Sequence, residues 1–523
     1  MQRSAGRPKF LFVDTPFNVA SARTRARVYL PMAALYLGTA LARRGVRPAI
    51  YDPKLNPTPV AHEGVYYHGD SLSEIEARIA REAPDVVCVT NLLSKDMNNA
   101  LAVCRAAKRA RPEATTVVGG IHATLFPQDF LADPSVDLVA RGEGEGTIVE
   151  LLYWAEARRA PRGIRHCVEE EGRGTRTIEL GNIAGLALRE PGGGIHLTPD
   201  RELTTDLDAL GFPDYSLVDL DAYFRLWRRG LGSRPLQIGT RCLPVFTSRG
   251  CPYRCYFCAA HHIAGRRPRA HSAKAVIEHI RQLVEDYRID AVTFEDDHIS
   301  FDRARFEELV DGLAALPRPL AWCTPNGVRA DTLVDEALLC RMKASGCRYL
   351  VIGVESGCQE FLRKTVRKAL DLGRVTELAA LCRRVKLPLF AFFIIGFPEE
   401  SRREIDATLD FAAMLSRRHA VVPYVTFAIP IPGTEMHESA RDRGYLVEEI
   451  TPRSLVETVS FKGSGKIRTP EFSPGDLAQL IRRLNRRVFW SQVRNMVFDP
   501  RLGLRHAALA LGNLARIKAH FAR

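Results

Sequence analysis

Cys251, Cys255 and Cys258 lie in the run Thr247-Ser248-Arg249-Gly250-Cys251-Pro252-Tyr253-Arg254-Cys255-Tyr256-Phe257-Cys258, directly after the strand-like stretch Val245 to Thr247. Their Cys-x3-Cys-x2-Cys spacing puts three thiolates on one short loop. Three thiolates can ligate three irons of a four-iron four-sulfur cluster and leave the fourth iron free to bind a small molecule. The other nine of the twelve cysteines are scattered singly, in the manner of small buried apolar residues. Zinc is the inorganic competitor, because three thiolates with an exogenous ligand, or with His261 or His262, also complete a tetrahedron. Zinc sites more often pair two separated Cys-x2-Cys turns, and the sequence offers no second turn.

Such a loop has to be held by strands and helices, and 523 residues are enough for two or three domains, each with its own core. With 46% apolar and 26% charged residues the composition is that of a folded globular protein, which excludes a disordered chain and a small disulfide scaffold. Phe10 to Thr15, Pro48 to Asp52, Asp85 to Asn91, Thr115 to Gly120 and Asp137 to Gly142 are short apolar runs rich in β-branched residues. Between them, Leu30 to Arg44, Ser71 to Glu82, Asp96 to Arg109 and Gly144 to Ala157 carry apolar residues at helical spacing. This βαβ series predicts a Rossmann-like, doubly wound parallel sheet. Its ligand crevice must lie beyond the carboxyl ends of the strands, where strand order reverses. That marks Asp14 to Val19, Asn91 to Met97 and Gly119 to Thr124. Gly119 and Gly120 would let backbone approach a large ligand, and Gly142-Glu143-Gly144-Glu145 opens the last helix on the same rim; the same glycines also read as plain tight turns. The ordinary reading of His122 is a hydrogen-bonded rim histidine.

The cysteine loop resembles that of the radical S-adenosylmethionine (SAM) enzymes. In that family the unligated iron binds the amino and carboxylate groups of SAM, and an electron from the cluster cleaves the sulfonium to a 5′-deoxyadenosyl radical. The chain around it fits a partial (β/α)6 barrel, with strand candidates at Val245 to Gly250, Ala291 to Asp297, Ala321 to Gly327, Tyr349 to Ser356, Pro388 to Gly396 and Val422 to Pro430. Active-site residues belong at the carboxyl ends of those strands. By resemblance Asp296 or Asp297 takes the SAM amino group, Arg329 with Asn326 the carboxylate, Glu355 with Ser356 the ribose, and Ile395-Gly396 the adenine, with Phe257 among the cofactor contacts. Each strand-end polar residue also has a plain reading as a solvated end or a helix cap.

A Rossmann-like domain ahead of a radical SAM barrel is similar to the cobalamin-binding class of these enzymes, over about Phe10 to Arg443. The resemblance implies that Asn91, Ser94, Gly119, Gly120, His122, Gly142 and Glu143 contact cobalamin. Many cobalamin domains carry Asp-x-His-x-x-Gly, whose histidine ligates cobalt from below. No such motif occurs between residues 1 and 160, and Asp296-Asp297-His298 lies in the barrel without the glycine, so no protein histidine is expected on cobalt. The fold class is thus α/β: a cobalamin-binding domain at 1–160, a linker with short strands at 161–241, the radical SAM barrel at 242–445 and a basic helical region at 446–523. The function implied is methylation of an unactivated sp3 carbon of a small molecule or lipid-like substrate, through the deoxyadenosyl radical and methylcobalamin, with a flavodoxin or ferredoxin as reductant. Cyclisation, ring rearrangement or oxidation with the same cofactors is the alternative. A nucleic-acid-modifying enzyme would usually need a second cluster from N-terminal cysteines, and Cys88 and Cys104 fall within a strand and a helix. The cysteine loop speaks against a non-catalytic sensor.

Lys plus Arg exceed Asp plus Glu by 74 − 61 = 13, and Gly475 to Arg523 holds ten basic residues against Asp476 and Asp499. The basic character therefore belongs mainly to a tail, and it does not by itself argue for nucleic acid. Within it Leu477, Leu480, Ile481, Leu484, Val488 and Phe489 alternate with Arg482, Arg483, Arg486 and Arg487 as in a helix with one basic face, and Leu502 to Phe521 repeats the theme. A subdomain capping the barrel, a membrane-surface helix and a contact for an acidic partner all fit that pattern. No run of eighteen apolar residues exists, and the expected compartment is the cytoplasm, with peripheral membrane attachment as its variant.

Overall fold

The computed structural model describes residues 7–19, 21–24, 27–159, 167–170, 174–232, 238–459 and 465–498. Five parallel strands, β1 (Phe10–Asp14), β2 (Ala49–Tyr51), β3 (Val86–Thr90), β4 (Thr115–Gly119) and β5 (Leu138–Ala140), lie in the order β2-β1-β3-β4-β5. Alternate residues of each strand point to opposite faces, and both faces are covered. Leu11, Val13, Val87, Val89 and Val118 meet α2 (Leu72–Glu82) and α3 (Met97–Ala110) through Ile75, Ile79, Ala100 and Val103. Phe10, Phe12, Cys88 and Val117 meet α1 (Met32–Ala42) and α5 (Glu145–Arg159) through Ala34, Leu41, Ile148 and Leu152. Burial on both sides is why these strands read as continuous apolar runs. Between β4 and β5 sits the short helix α4 (Ile121–Leu125). Strand order reverses between β1 and β3, which places the crevice between Asp14 and Asn91.

The segment expected as a linker with short strands supplies two of them to this sheet. β6 (Leu186–Arg189) and β7 (Ile195–Leu197) add antiparallel strands beside β5, joined through Pro191-Gly192-Gly193-Gly194 as a hairpin. The chain then runs between the domains, where the Tyr223 hydroxyl donates to Asp52 at 2.7 Å, Trp227 Nε1 to the Val28 carbonyl at 2.8 Å and the Tyr215 hydroxyl to the Pro244 carbonyl at 2.9 Å.

Six parallel strands in sequence order form the second sheet: β8 (Cys242–Val245), β9 (Ala291–Phe294), β10 (Ala321–Cys323), β11 (Cys347–Glu355), β12 (Leu389–Ile395) and β13 (Val422–Phe427). Helices α6 (Ala273–Tyr287), α7 (Arg303–Ala314), α8 (Glu336–Ala344), α9 (Leu372–Val385) and α10 (Arg402–His419) follow β8 to β12 and cover the outer face. The first strand lies upstream of its expected position at Val245 to Gly250. It ends at Val245, and Ser248–Arg249 turns aside to pair antiparallel with Arg269–Ala270. β9 and β10 likewise stop at Phe294 and Cys323, short of the expected Asp297 and Gly327, so the polar residues beyond them stand on loops.

Beyond the barrel, α11 (Pro452–Val459) buries Leu455 and Val456 and packs against Ser94–Asp96 of the first domain. Helix α12 (Pro474–Phe498) lies along α10 through Leu477, Leu480, Leu484 and Val488. Phe489, expected on the apolar face, is instead exposed together with Trp490. The repeat pattern at Leu502 to Phe521 lies outside the described residues.

One turn of the first sheet tests its packing directly. Gly120 has φ +126°, and a Cβ there would fall inside the carbonyl of Asn91, whereas a Cβ on Gly119 would meet Ala140 at 3.6 Å. Gly120→Ala should therefore lower stability by about 2–3 kcal/mol in urea unfolding, with Gly119→Ala within about 1 kcal/mol of the unsubstituted protein.

Candidate functional site

The cysteine loop leaves the sheet through Gly250, at φ +87°, where the carbonyls of Arg267 and Ala264 lie 2.7 and 2.8 Å from the position a Cβ would take. Only glycine fits there. Its root is fixed by Asp296, whose Oδ1 accepts the Thr247 N–H at 3.1 Å, the Thr247 hydroxyl at 2.7 Å and the Ser248 hydroxyl at 2.5 Å. Further along, Cys251 N–H donates to Gly265 O at 3.3 Å and Tyr256 N–H to Val366 O at 3.2 Å. Cys251, Cys255 and Cys258 are free and partly exposed at the loop surface. Burial pushes all three thiols up, Cys255 to about 11, and the charge of Lys368 works against that rise at Cys255. Three thiols that ionise reluctantly by themselves, gathered on one short loop, fit a polynuclear cation that would hold them as thiolates.

Around the loop the strand-end residues sort themselves by direction. Asp296 is buried, with Oδ1 committed to the loop root and Oδ2 without a hydrogen-bond partner among the described residues; its neighbour Asp297 is exposed toward the loop and accepts the Gly250 N–H. Asn326 is exposed, with its amide donating to the Glu295 carbonyl at 2.7 Å. Arg329 is buried, holds Asp331 at 2.6 Å and lies 4.0 Å over the Tyr253 ring, while its Nη1 has no hydrogen-bond partner among the described residues. Glu355 ends β11 at φ +68° and pairs with Lys368 at 2.8 Å. A carboxylate held by a lysine in a left-handed conformation is a strained and fixed feature.

Two of the expected side chains are buried away from the loop surface. Ser356 is fully buried and bonds Thr408 at 3.0 Å, behind the strand end. Ile395 points into the core between sheet and helices, because it shares parity with Phe393 and Ala391; Ile394 is partly buried against the same cluster. Gly396 does stand at the strand end, its N–H donating to Glu400 at 2.6 Å. Phe257 packs against Phe397, with centroids 6.0 Å apart.

In the first domain Asn91 is fully buried beside Gly120, and neither side-chain polar atom finds a partner among the described residues. Leu92 and Leu93 follow it at 62% and 40% exposure, so the rim of the crevice is apolar and open. Such a rim, with one buried amide unpaired, fits a large flat ligand with amide groups at its edge. His122 is a buried rim histidine: Nδ1 meets the Ser94 hydroxyl at 2.9 Å and Nε2 meets Asp129 at 3.2 Å. Glu143 turns out of the crevice. Its carboxylate receives Arg269 at 2.8 and 3.0 Å and Arg249 at 3.2 Å. The two sites adjoin, because α4, which follows Gly119-Gly120, packs against His261–Ala264 just beyond Cys258. Sequence reading missed Lys368, Tyr253 and the pair Arg249 and Arg269; Arg249 and Tyr253 carried a signal, their place within the cysteine run.

A B12 binding domain model matches residues 20–152 and a Radical SAM superfamily model residues 245–412. An uncharacterized methyltransferase of Pyrococcus horikoshii is 30% identical over 71% of this chain and 72% of its own length. The chain belongs to the cobalamin-binding radical SAM enzymes. Cytidylyl-2-hydroxyethylphosphonate methyltransferase of Streptomyces wedmorensis is 28% identical over 92% of this chain and 93% of its own length. The fold matches that of the radical SAM methyltransferase TsrM from Kitasatospora setae, with a TM-score of 0.64 at 17% identity over 91% of this chain and 88% of that one.

Two substitutions probe the frame of this radical SAM site. Asp296→Ala leaves three donors of the loop root without their acceptor. It should lower stability by about 2–4 kcal/mol and reduce the iron retained on reconstitution. Burial holds the Glu400 carboxyl up at about 8, against an ordinary 4.5, although it accepts from Gly396 and Phe397. The folded state therefore binds one more proton than the unfolded state between those values, and stability should fall as pH rises from 5 toward 8. Glu400→Gln keeps an acceptor for both N–H groups and should flatten that fall in melting curves.

Proposed function

We propose that this radical SAM enzyme methylates an unactivated sp3 carbon of a small molecule. The observation that carries the reading is adjacency: the three-thiol loop and the open rim of the first domain's crevice meet at one interdomain surface. The alignment with a named methyltransferase over nearly the full length of both chains supports it. When bound, the cluster and SAM supply a 5′-deoxyadenosyl radical and cobalamin a transferable methyl group.

The chain's own residues then have distinct tasks. Cys251, Cys255 and Cys258 hold the cluster. Asp297 receives the SAM amino group, the unpartnered Nη1 of Arg329 its carboxylate, and Glu355, kept in place by Lys368, the ribose. Gly396 and Ile394 flank the adenine. Asn91, Leu92, Leu93, Ser94 and the Gly119-Gly120 turn seat cobalamin. The inner face of the barrel is apolar at Val351, Phe390, Phe392 and Tyr349, which keeps water from a reactive carbon radical.

Among the described residues no helix is long and apolar enough to cross a membrane. On α12, Phe489 and Trp490 are 37% and 68% exposed beside Arg482, Arg483 and Arg486 on the outer side. Aromatic rings among arginines suit an anionic lipid surface, and we assign the helix that contact. Trp490→Ala should weaken flotation with phosphatidylserine vesicles; unchanged flotation would remove the assignment.

The decisive test uses anaerobically reconstituted protein from cobalamin-fed cells. About four irons and one corrinoid per chain are expected, and SAM labelled in its methyl group should pass label to the recovered corrinoid. Cys255→Ala should form no 5′-deoxyadenosine above background. Four irons with no corrinoid and no label transfer would overturn methyl transfer as the function.

A further inference from the structure

Arg249 and Arg269 are cross-strand partners on the two-residue ribbon at the root of the cysteine loop. Like charges placed directly opposite each other repel. Here both side chains are largely buried, and the compensating charge comes entirely from the other domain. Glu143 Oε1 stands between them, 2.8 Å from Arg269 and 3.2 Å from Arg249, and Glu145 takes the second Arg249 nitrogen at 2.6 Å. The Arg249 guanidinium also lies 5.1 Å over the ring of Tyr36 on α1. Burial alone would raise the Glu143 carboxyl, which Arg269 and Arg249 hold below its ordinary range. Each side of the domain boundary thus neutralises charges that the other has buried, and Arg249 is two residues from Cys251.

We propose that Glu143 and Glu145 are positioning residues for the iron–sulfur loop: they set Arg249 and Arg269, so that the loop takes its working geometry only with the first domain docked against it. The acidic turn after β5 is then a clamp between the two cofactor sites, with no contact of its own to either cofactor. The proposal goes beyond methyl transfer, since it holds for any reaction that needs the two sites at a fixed separation.

The test is the magnetic interaction between the reduced cluster and cob(II)alamin in the loaded full-length enzyme, read by pulsed electron paramagnetic resonance. Dipolar coupling falls with the cube of separation, so a loosened loop broadens it. Glu145→Gln and Arg249→Lys should keep the iron and corrinoid content of the unsubstituted enzyme and lose the single, sharp coupling. Arg201→Gln breaks a 2.7 Å pair with Glu150 inside the first domain and should leave the coupling sharp. Sharp coupling in Glu145→Gln, or broadening in Arg201→Gln, would overturn the proposal. Hydrogen exchange of the full chain as purified gives a second reading that needs no corrinoid. Glu145→Gln should speed exchange at residues 247–258 by about tenfold and leave 303–314 unchanged. Equal exchange at 247–258 would also overturn it. Absence of corrinoid from the unsubstituted protein would count against the proposed function alone and leave hydrogen exchange to decide the clamp.

Discussion

Two buried arginines facing each other across a two-residue ribbon are unstable unless negative charge reaches them, and that requirement shapes the centre of this enzyme. A buried ion pair gains little over apolar packing, yet removing one partner costs several kcal/mol because a charge is left stranded. The Glu143 and Glu145 carboxylates are therefore better understood as a condition on domain docking than as a source of net stability. The same ribbon begins the cysteine loop, so docking geometry and loop geometry are one problem. Asp296 extends the constraint into the barrel by taking the loop's first donors.

The parallel strands were legible because burial on both faces leaves an uninterrupted apolar run, and the helices because one-sided burial leaves a periodic one. Strand ends were less legible. Thr247 and Ser248 look like strand continuation, but their donors go to Asp296, and the extension past β8 becomes a loop root. Side-chain direction was lost for a related reason. Ser356 and Ile395 stand at the ends of their strands with buried side chains, and a period of two means that one residue of displacement reverses the face. Glu143 was legible as part of a functional rim, but its arginine partners lie more than a hundred residues away, and no local pattern records them. Lys368 lies only thirteen residues from its partner Glu355, but the segment between them carries no strand or helix period that would record the contact.

The polar residues at the strand ends divide into those that build the site and those left open to it. Asp296 and Glu400 each spend one oxygen, on Thr247 and on the Gly396-Phe397 backbone, and Ser356 spends its hydroxyl on Thr408. Asp296 Oδ2, Glu400 Oε1 and Arg329 Nη1 have no hydrogen-bond partner among the described residues, and Asp297 is exposed beside the loop. That division follows from energetics, because a buried donor or acceptor must be satisfied by protein or by what the protein binds.

A six-strand barrel does not close, and its last strand, β13, has no neighbouring strand among the described residues on its far side. The helices C-terminal to the barrel cover that exposed side. α12 lies along α10, and Leu477 and Phe472 press against the strand end at Gly396; α11 reaches across to Ser94–Asp96 at the crevice rim. The region for which a cap on the barrel was one expectation is a wall on the barrel's open side and a second tie to the first domain. Together with the linker hairpin, which completes the first sheet, this means that the two peripheral segments do complementary work. One finishes a domain, and the other joins the two, so that a reaction space between two separately folded cores is bounded by covalently continuous chain on more than one side. Water exclusion in such a space depends on segments outside both family matches, which is where enzymes sharing this core are free to differ in the substrate they admit.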